Sequence, residues 1–207
     1  MSKITRIGGG GASGGGKGPT KPSKPKRKTQ RKSGAPEPIP VTVTFLEMFA
    51  EPLLRVPVPA QKLALMRAEK PEVHFTRYLY ETVGADFVWV DRRRVSDADL
   101  AAVVQDEDYE TYVLYKEGCP AGYFELDCRN MPDIELAYFG LFPDATGFGL
   151  GRYLLAQAIR TAWSHEPQRV HVETCTLDHP AALPLYQKLG FSPYKQVEKE
   201  IIPLDEP

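Results

Sequence analysis

The chain contains only three cysteines, an odd number, and no two of them form a Cys-x-x-Cys pair. This count argues against a disulfide framework and offers no ligand set for a standard zinc site, so we expect no metal. No segment approaches the roughly 20 apolar residues that a membrane-spanning helix needs. The N-terminal residues are glycine-rich and basic without an apolar segment, so we do not expect a secretory signal. These absences predict a reduced, cytoplasmic protein with no membrane span.

The near-neutral net charge of −1 hides two segments of opposite charge. Residues 1–40 contain ten lysines and arginines against a single acid, Glu37, so this segment carries +9. Residues 41–207 contain 16 basic and 26 acidic side chains and carry −10. The average over the whole chain therefore describes neither segment.

Residues 1–40 are also rich in glycine and proline and contain no aromatic residue. Such a composition buries too little apolar surface to offset the entropy of ordering the chain, so we predict a disordered basic tail. One interpretation is a weak contact with nucleic acid or another anionic surface. The other is a dispensable, solubilising extension, which the lack of aromatic side chains for stacking on bases slightly favours.

From residue 41 onward the pattern alternates between strand and helix. Alternating β-branched residues predict a strand over 41–45, and helical spacing predicts helices over 60–69 and 72–83. We interpret Gly84 as a left-handed cap of the second helix, and a capping box at Ser96 predicts a short helix to about Val104.

The central and C-terminal segments complete the predicted order. The nearly continuous apolar run over 134–142 is typical of a central strand covered on both faces. The whole order predicts an α/β domain over 41–207, a mixed, mostly antiparallel sheet flanked by helices. The remaining predicted elements are strands over 109–116, 120–127 and 169–176, helices over 149–164 and 180–189, and a strand after Gly190.

Three alternating glycines, Gly147, Gly149 and Gly151, stand between the predicted strand 134–142 and the next helix. Glycine at a helix start lets backbone N–H groups approach an anion, and the helix N-terminus supplies about half a positive charge. The pattern therefore predicts a phosphate or pyrophosphate site, although a tight turn that tolerates glycine is the alternative. It is neither a P-loop, since no Gly-Lys-Ser/Thr follows, nor the G-x-G-x-x-G dinucleotide fingerprint.

Two segments resemble the signatures of the GCN5-related N-acetyltransferase (GNAT) family. Residues 141–155, Leu-Phe-Pro-Asp-Ala-Thr-Gly-Phe-Gly-Leu-Gly-Arg-Tyr-Leu-Leu, resemble its acetyl-coenzyme A loop, Q/R-x-x-G-x-G/A. Residues 178–191, Asp-His-Pro-Ala-Ala-Leu-Pro-Leu-Tyr-Gln-Lys-Leu-Gly-Phe, resemble its second signature, N-x-x-A-x-x-L-Y-x-x-x-G-F. The resemblance implies the GNAT fold and transfer of an acetyl group from acetyl-coenzyme A to an amine, by direct attack in a ternary complex.

The resemblance also implies where the coenzyme binds. Thr146 stands where the family has Gln or Arg, which shortens or removes a side-chain contact, and His179 stands where it usually has Asn. Backbone groups near Phe139 and Leu141 would pair with the acyl carbonyl and pantetheine. The implied pyrophosphate contacts are Thr146, Gly147, Phe148, Gly149, Leu150, Gly151 and Arg152, with a further coenzyme contact at His179.

Glu135 and Tyr186 are the candidate catalytic residues. An amine is protonated at pH 7 and must lose a proton, and Glu135 begins an otherwise apolar strand in which burial would raise its pKa. Its distance from the glycine loop matches that of the catalytic glutamate in some family members. Tyr186 matches the family's tyrosine, which resembles a general acid for the departing thiolate. The alternatives are an exposed strand-end carboxylate for Glu135 and core packing for Tyr186.

The sequence leaves several questions open. A non-catalytic acyl-coenzyme A sensor or scaffold with a basic interaction tail is an alternative to the enzyme, and another donor, such as succinyl-coenzyme A, would suit the same scaffold. The acceptor is an amine on a small molecule, a peptide or a protein, and an exposed sheet edge would allow a homodimer. We interpret Arg92–Arg94 as a solvated strand end without a role.

Overall fold

The computed structural model describes residues 36–204, which form a seven-stranded sheet with helices on both faces. In chain order the strands are β1 (Ile39–Met48), β2 (Leu63–Ala68), β3 (Tyr109–Lys116), β4 (Cys119–Asp127), β5 (Asp133–Leu141), β6 (Arg169–Cys175) and β7 (Ser192–Ile201). The helices are α1 (Val73–Gly84), α2 (Asp91–Arg94), α3 (Asp97–Val104), α4 (Leu150–Trp163) and α5 (Ala182–Lys188).

The strand order across the sheet is β2-β3-β4-β5-β6-β1-β7. Only β5 and β6 pair in parallel, and every other neighbouring pair is antiparallel. The predicted fold class, a mixed and mostly antiparallel sheet flanked by helices, is therefore confirmed. The apolar strand predicted to be central is β5, the fourth of seven.

Helices pack on the two faces of β5. Ile134 and Leu136 are fully or almost fully buried and belong to the same core cluster as the apolar face of α4. Gly140 points to the opposite face, where a Cβ atom would lie 2.2 Å from Cγ1 of Val83 in α1. Only a glycine allows α1 to approach the sheet this closely, and the central strand is thus held between α1 and α4.

The helix predicted over 60–69 is wrong, because β2 occupies this segment. Leu63 and Leu65 are half-buried while Ala64 and Met66 are exposed, which is the alternation of a strand. The segment pairs antiparallel with β3, from Leu63 opposite Lys116 onward. Its helix-favouring composition is overridden by pairing along the edge of the sheet.

Two local interpretations between α1 and α3 are also wrong. Gly84 is the last residue of α1 rather than a left-handed cap, and Ala85 follows it with a right-handed φ of −54°. A Cβ atom on Gly84 would lie 2.4 Å from Cβ of Trp89, so glycine is needed for this contact. Arg92–Arg94 lie in the one-turn helix α2 rather than at a strand end, and Arg92 is buried.

The other predicted elements are confirmed, with ends that differ by a few residues. Ser96 caps α3 as expected, since its side chain accepts a hydrogen bond from the N–H of Asp99. β1 begins at Ile39, two residues before the predicted start of the domain. The predicted disordered tail falls almost entirely outside the described residues. No helix between residues 36 and 204 has both the length and the apolar character of a membrane-spanning helix.

Candidate active site

The sheet opens between its two parallel strands. β5 and β6 pair over only three positions, the last of which joins Glu135 to His171. Beyond Glu135, β5 continues to Leu141 beside β4, whereas β6 continues beside β1. The C-terminal halves of β5 and β6 are therefore not paired with each other, which leaves an opening in the sheet. Phe139 and Leu141 lie along this opening.

A β-bulge marks the point where the two strands separate. Leu126 of β4 lies opposite Leu136, but the next pair is Glu125 opposite Tyr138. Ala137 is therefore an extra residue in β5. A bulge bends a strand and increases its twist, and it re-aims the side chains that follow. Tyr138 therefore faces α1, where its ring contacts Tyr80 edge-on. The next residue, Phe139, faces α5, where its ring contacts Tyr186.

The glycine-rich segment forms a sharp turn into α4. Gly147 and Gly149 have φ values of 84° and 76°, the left-handed region that favours glycine. Gly149 is the N-cap of α4, and no side chain caps this helix end. In the first backbone hydrogen bond of the helix, the N–H of Tyr153 donates to the carbonyl of Gly149. The N–H groups of Leu150 to Arg152 precede that bond and are oriented to bind an anion.

Arg152 adds an unsatisfied donor beside these amides. Its Nε atom is buried and has no hydrogen-bond partner among the described residues. A buried donor without a partner costs free energy unless an acceptor binds there. A Cβ atom on Gly151 would lie 3.6 Å from Leu141 and 3.8 Å from Leu185, so this turn packs directly against β5 and α5. The donors and the adjoining opening in the sheet fit the pyrophosphate and pantetheine of coenzyme A.

Other residues of the turn would contact a ligand mainly through their backbone. The hydroxyl of Thr146 donates a hydrogen bond to the carbonyl of Pro143 at 2.9 Å, so this side chain folds back onto the preceding turn. Leu150 is fully buried in the core. Phe148 is 53% exposed, and the Nζ atom of Lys116 lies 4.4 Å from its ring centre.

Glu135 lies on the face of the sheet opposite α4. Its neighbours Ile134 and Leu136 point into the α4 core, and side chains alternate along a strand. Burial raises the pKa of Glu135 above its ordinary value of 4.5, and the nearby carboxylates of Glu173 and Asp127 raise it further. A carboxylate with a raised pKa is a better base at neutral pH than an ordinary one.

Tyr186 lies on α5, next to the opening in the sheet. It is 5% exposed, and its ring contacts Phe139 edge-on at a centroid distance of 6.0 Å. Burial raises the pKa of Tyr186 above its ordinary value of 10, and the carboxylate of Asp178 adds to this shift. Full proton transfer to a thiolate, whose conjugate acid has a pKa of about 8.5, would therefore be uphill. The raised pKa suits a hydrogen-bond donor rather than a group that gives up its proton.

His179 lies in the loop between β6 and α5. The N–H of Ala181 donates a hydrogen bond to its Nδ1 atom at 3.1 Å, which fixes the turn before α5. The ring also contacts Phe87 edge-on, at a centroid distance of 5.9 Å. One ring nitrogen therefore serves the loop itself, and a coenzyme contact would have to use the other.

Asp178 begins the segment 178–191 that resembles the second signature, and no role for it was predicted from the sequence. Its Oδ1 atom accepts a hydrogen bond from the indole of Trp89 at 3.1 Å. Its Oδ2 atom accepts from the hydroxyl of Thr174 at 2.8 Å and from the N–H of Cys175 at 2.9 Å. This one carboxylate thus holds the end of β6 against the segment that follows α1. An acidic residue just after a predicted strand was the only signal in the sequence.

A buried ionic network was also missed. The Arg92 guanidinium donates hydrogen bonds to both carboxylate oxygens of Glu125 and to the hydroxyl of Tyr109. That hydroxyl donates in turn to Glu125 at 2.5 Å. Arg92 also lies 4.2 Å from the ring centre of Tyr138. The network fixes α2 on the same face of the sheet as Glu135. In the sequence, three consecutive arginines indicated a solvated segment. The partners of Arg92 are 17 and 33 positions away, so no local pattern connects them to it.

Comparisons with solved structures show a shared fold. A functionally unknown conserved protein from Staphylococcus epidermidis has a TM-score of 0.55 at 13% identity, over 77% of this chain and 60% of that one. This chain thus spans less than two thirds of that protein. The ribosomal-protein-S18-alanine N-acetyltransferase from Escherichia coli has a TM-score of 0.53 at 18% identity, over 70% of this chain and 97% of that one.

An aminoglycoside N-acetyltransferase solved in complex with coenzyme A has a TM-score of 0.50 at 17% identity, over 69% of this chain and 95% of that one. A comparison with curated proteins finds no match. The model of the acetyltransferase (GNAT) family matches residues 75–191, more than half of the chain, and includes the opening, the glycine turn and α5. The chain therefore belongs to the acetyltransferase (GNAT) family.

Proposed function

We propose that this protein transfers an acetyl group from acetyl-coenzyme A to an amine, by direct attack in a ternary complex. The family assignment supports acyl transfer as the general class of chemistry. The observation that carries the proposal is the opening between β5 and β6, which ends at the uncapped N-terminus of α4 and the unpaired Nε atom of Arg152. This combination suits a ligand with an anionic group and an extended arm.

The donor would bind along β5 and the turn that follows it. Backbone N–H groups between Gly147 and Arg152, together with the Arg152 side chain, would hold the pyrophosphate. Backbone groups near Phe139 and Leu141 would pair with the pantetheine arm as an added strand pairs with a sheet edge. The bound thioester supplies the activated acetyl carbon, and this chain supplies its position and the surrounding proton acceptor and donor.

Glu135 and Tyr186 would act on opposite sides of the reacting bond. Glu135 accepts a proton from the incoming amine, for which its raised pKa is suited. Tyr186 stays protonated because burial raises its pKa, and it donates a hydrogen bond to the departing sulfur. Asp178 acts as a positioning residue, since it holds the β6–α5 loop in place.

The second candidate is an acyl-coenzyme A sensor without catalysis. The hydrogen bond from Thr146 to Pro143 favours it, because this side chain does not reach toward the predicted pyrophosphate as Gln or Arg would. A sensor and an enzyme share the donor site, so binding alone does not separate them. Acceptor-dependent release of coenzyme A does.

Several further predictions belong to this proposal. We propose a cytoplasmic location and a homodimer formed through a sheet edge, for which β7 offers a long exposed strand. Charged residues on β7, including Lys195 and Glu198, oppose indiscriminate pairing at this edge. Weak binding of an anionic surface by residues 1–40 would show as a strong dependence on salt.

A steady-state assay tests the proposal. The full chain is incubated with acetyl-coenzyme A and a panel of amines, and free thiol and acetylated product are both measured. We expect acceptor-dependent thiol release that falls in Glu135→Gln and Tyr186→Phe. Tyr194→Phe is the matched control, since Tyr194 is 46% exposed on β7. Saturable acetyl-coenzyme A binding with no transfer to any amine would support the sensor instead.

A further inference from the structure

The charged side chains on the face of the sheet that carries Glu135 are of both signs, and most of them are paired with each other. At three points of this face an arginine contacts one or two carboxylates. Opposite charges held this close largely cancel at a distance, so these pairs attract a bound molecule only weakly. The pairs are Arg92 with Glu125, Arg129 with Asp127, and Arg169 with both Glu47 and Asp133.

Two carboxylates of this face remain outside these pairs. Glu135 and Glu173 form no ion pair with a lysine or arginine among residues 36–204. They lie close enough for the charge of Glu173 to raise the pKa of Glu135. Glu173 is exposed on β6, which borders the opening in the sheet. An amine that approaches Glu135 therefore meets two carboxylates that no described lysine or arginine neutralises.

Two lysines on the same face also lack an ion-pair partner in the described part of the chain. The Nζ atoms of Lys195 and Lys199 lie 5.4 and 5.6 Å from the ring centre of Phe45. Lys199 lies opposite Val41, four residues along β7 from Lys195, so its side chain leans along the strand to reach this ring. Attraction between an ammonium group and an aromatic ring holds both lysines there. Two cations without a counter-ion are thus gathered beside one half-buried ring, where they can bind an anion.

The acidic residues of β7 do not neutralise this lysine pair. Side chains alternate along a strand, so Glu198 and Glu200 face away from Lys195 and Lys199. Glu198 instead accepts a hydrogen bond from the hydroxyl of Thr42 at 2.8 Å on the other face of the sheet. The positive charge of the lysine pair is therefore directed toward the face that carries Glu135.

Strand register separates the lysine pair from the proposed base by a defined distance. Lys195 lies opposite Phe45 on β1, and Phe45 lies opposite Glu173 on β6. Glu135 on β5 lies beside His171, two residues before Glu173. Two strand spacings of about 4.8 Å and two residues of about 3.3 Å put the Cα atoms of Glu135 and Phe45 about 12 Å apart. Contacts of about 3 Å at each end leave about 6 Å between a bound amine nitrogen and a bound anionic group. An extended dipeptide has this length, since two residues span at most about 6.6–7.2 Å.

We propose that the acceptor is a dipeptide-sized primary amine with a free carboxylate, which Lys195 and Lys199 bind while Glu135 receives the amine. This inference rests on the proposed function and names the chemical class of its acceptor. The amine nitrogen forms an amide bond with the acetyl carbon, and the carbon–sulfur bond breaks. Of the two protons that the ammonium group loses, Glu135 accepts one and the departing sulfur takes the other. The products are an N-acetylated dipeptide and free coenzyme A.

The lysine pair reverses the preference that the two carboxylates alone would give. With only Glu135 and Glu173 at the site, an acceptor gains by carrying more positive charge, so a dipeptide amide would be preferred to the dipeptide. With the lysine pair, the free carboxylate accepts charge-assisted hydrogen bonds that an amide does not match. The ratio of kcat/KM for the two compounds therefore shows which of the two groups decides the choice of acceptor.

The test measures kcat/KM for glycylglycine and for glycylglycine amide, with the full chain and saturating acetyl-coenzyme A. We expect the wild type to prefer glycylglycine by about tenfold or more, as charge-assisted hydrogen bonds would give. Lys195→Gln combined with Lys199→Gln should abolish this preference, mainly through a higher KM for glycylglycine, and change the values for the amide little. Lys195→Arg combined with Lys199→Arg keeps both charges and should keep the preference. The matched control, Lys62→Gln with Lys70→Gln, removes the same charge beside β2 at the other edge of the sheet and should behave as the wild type.

Spermidine, supplied as a third acceptor, separates this inference from the proposed function. Acetylation of spermidine or of the amide with a kcat/KM equal to or above that of glycylglycine overturns the inference and leaves the proposed function standing. An equal loss for both glycine compounds in the glutamine variant of Lys195 and Lys199 shows a structural effect, and the same loss in the control shows an effect of net charge. Either result overturns the inference. Transfer to none of the three acceptors also overturns it, whereas the proposed function falls only when the whole panel of amines is inactive.

Discussion

The indole N–H of Trp89 donates a hydrogen bond to Oδ1 of Asp178 across the candidate active site, at 3.1 Å. The Trp89 ring is also held against Tyr80 and Tyr138, at centroid distances of 5.2 and 5.5 Å. Asp178 is held in turn by the end of β6. This one hydrogen bond therefore connects the helical layer above Glu135 with the loop that leads to Tyr186.

Replacing Asp178 by alanine should both destabilise the fold and misalign the loop between β6 and α5. The change leaves the Trp89 indole, the Thr174 hydroxyl and the Cys175 N–H without their acceptor, and one unsatisfied buried donor costs about 1–3 kcal/mol. We expect a lower free energy of unfolding in urea and a lower kcat. Trp89→Phe removes only one of the three bonds and should have a smaller effect. Equal effects of the two changes would contradict this role of Asp178.

Tyr186→Phe should lower kcat while the Kd for acetyl-coenzyme A stays nearly the same. The ring keeps its contacts with Phe139 and Phe191, whereas the hydroxyl that would stabilise the departing sulfur is lost. A hydrogen-bond donor at a developing anion contributes about a hundredfold or more. Turnover and isothermal titration measure the two quantities, and an unchanged kcat would remove Tyr186 from the mechanism.

Glu135 should set the acidic limb of the pH profile. If it is the base, kcat/KM rises with pH through an apparent pKa above 4.5, because burial and Glu173 raise the pKa of its carboxyl. Glu173→Gln removes one of these causes and should move the limb to lower pH. Glu135→Gln should abolish the limb. A limb that stays in place in both variants would point to another group.

The raised pKa of Glu135 also predicts how the stability of the fold changes with pH. The folded chain binds the Glu135 proton more tightly than the unfolded chain, since the pKa is raised. Its contribution to stability is therefore complete below the unfolded pKa and is lost as the pH rises through the folded value. Glu135→Gln should be more stable than the wild type at pH 7 and similar to it in acid, as thermal unfolding at several pH values would show.

Arg92→Met should destabilise the fold strongly. The change leaves the carboxylate of Glu125 buried without its cation, and such a loss costs about 3–5 kcal/mol. Glu125→Gln in the same chain should recover part of this loss, because it removes the unpaired charge. Chemical denaturation of the single and double variants gives the comparison, and no recovery in the double variant would contradict the role of the ion pair.

Local patterns sufficed for most of the fold. Alternation, helical spacing and the Ser96 cap are local signals, and the structure confirms the elements that they predicted apart from the helix over 60–69. β2 was mistaken for a helix because its strand character depends on pairing with β3, which is more than 40 residues away. Gly84 was misinterpreted because its requirement is a close contact with Trp89 rather than a left-handed backbone.

The candidate site was predictable only where it consists of contiguous residues. The glycine turn and Tyr186 belong to continuous segments, so the sequence displays them directly. Asp178 is hydrogen-bonded to Trp89, which is 89 positions away in the sequence. Arg92 is hydrogen-bonded to Glu125, which is 33 positions away. Such pairs depend on the order of strands in the sheet, and a single sequence does not display that order.

The most direct test of the donor site is thermal unfolding of the full chain with acetyl-coenzyme A, coenzyme A, ATP or NAD. A ligand at about 100 times its Kd stabilises the folded state by about 2.7 kcal/mol. We expect a shift in Tm with the two coenzyme A species, a smaller shift in Arg152→Gln and an unchanged shift in Arg160→Gln, at the other end of α4. A folded protein whose Tm does not respond to either coenzyme A species would contradict the account.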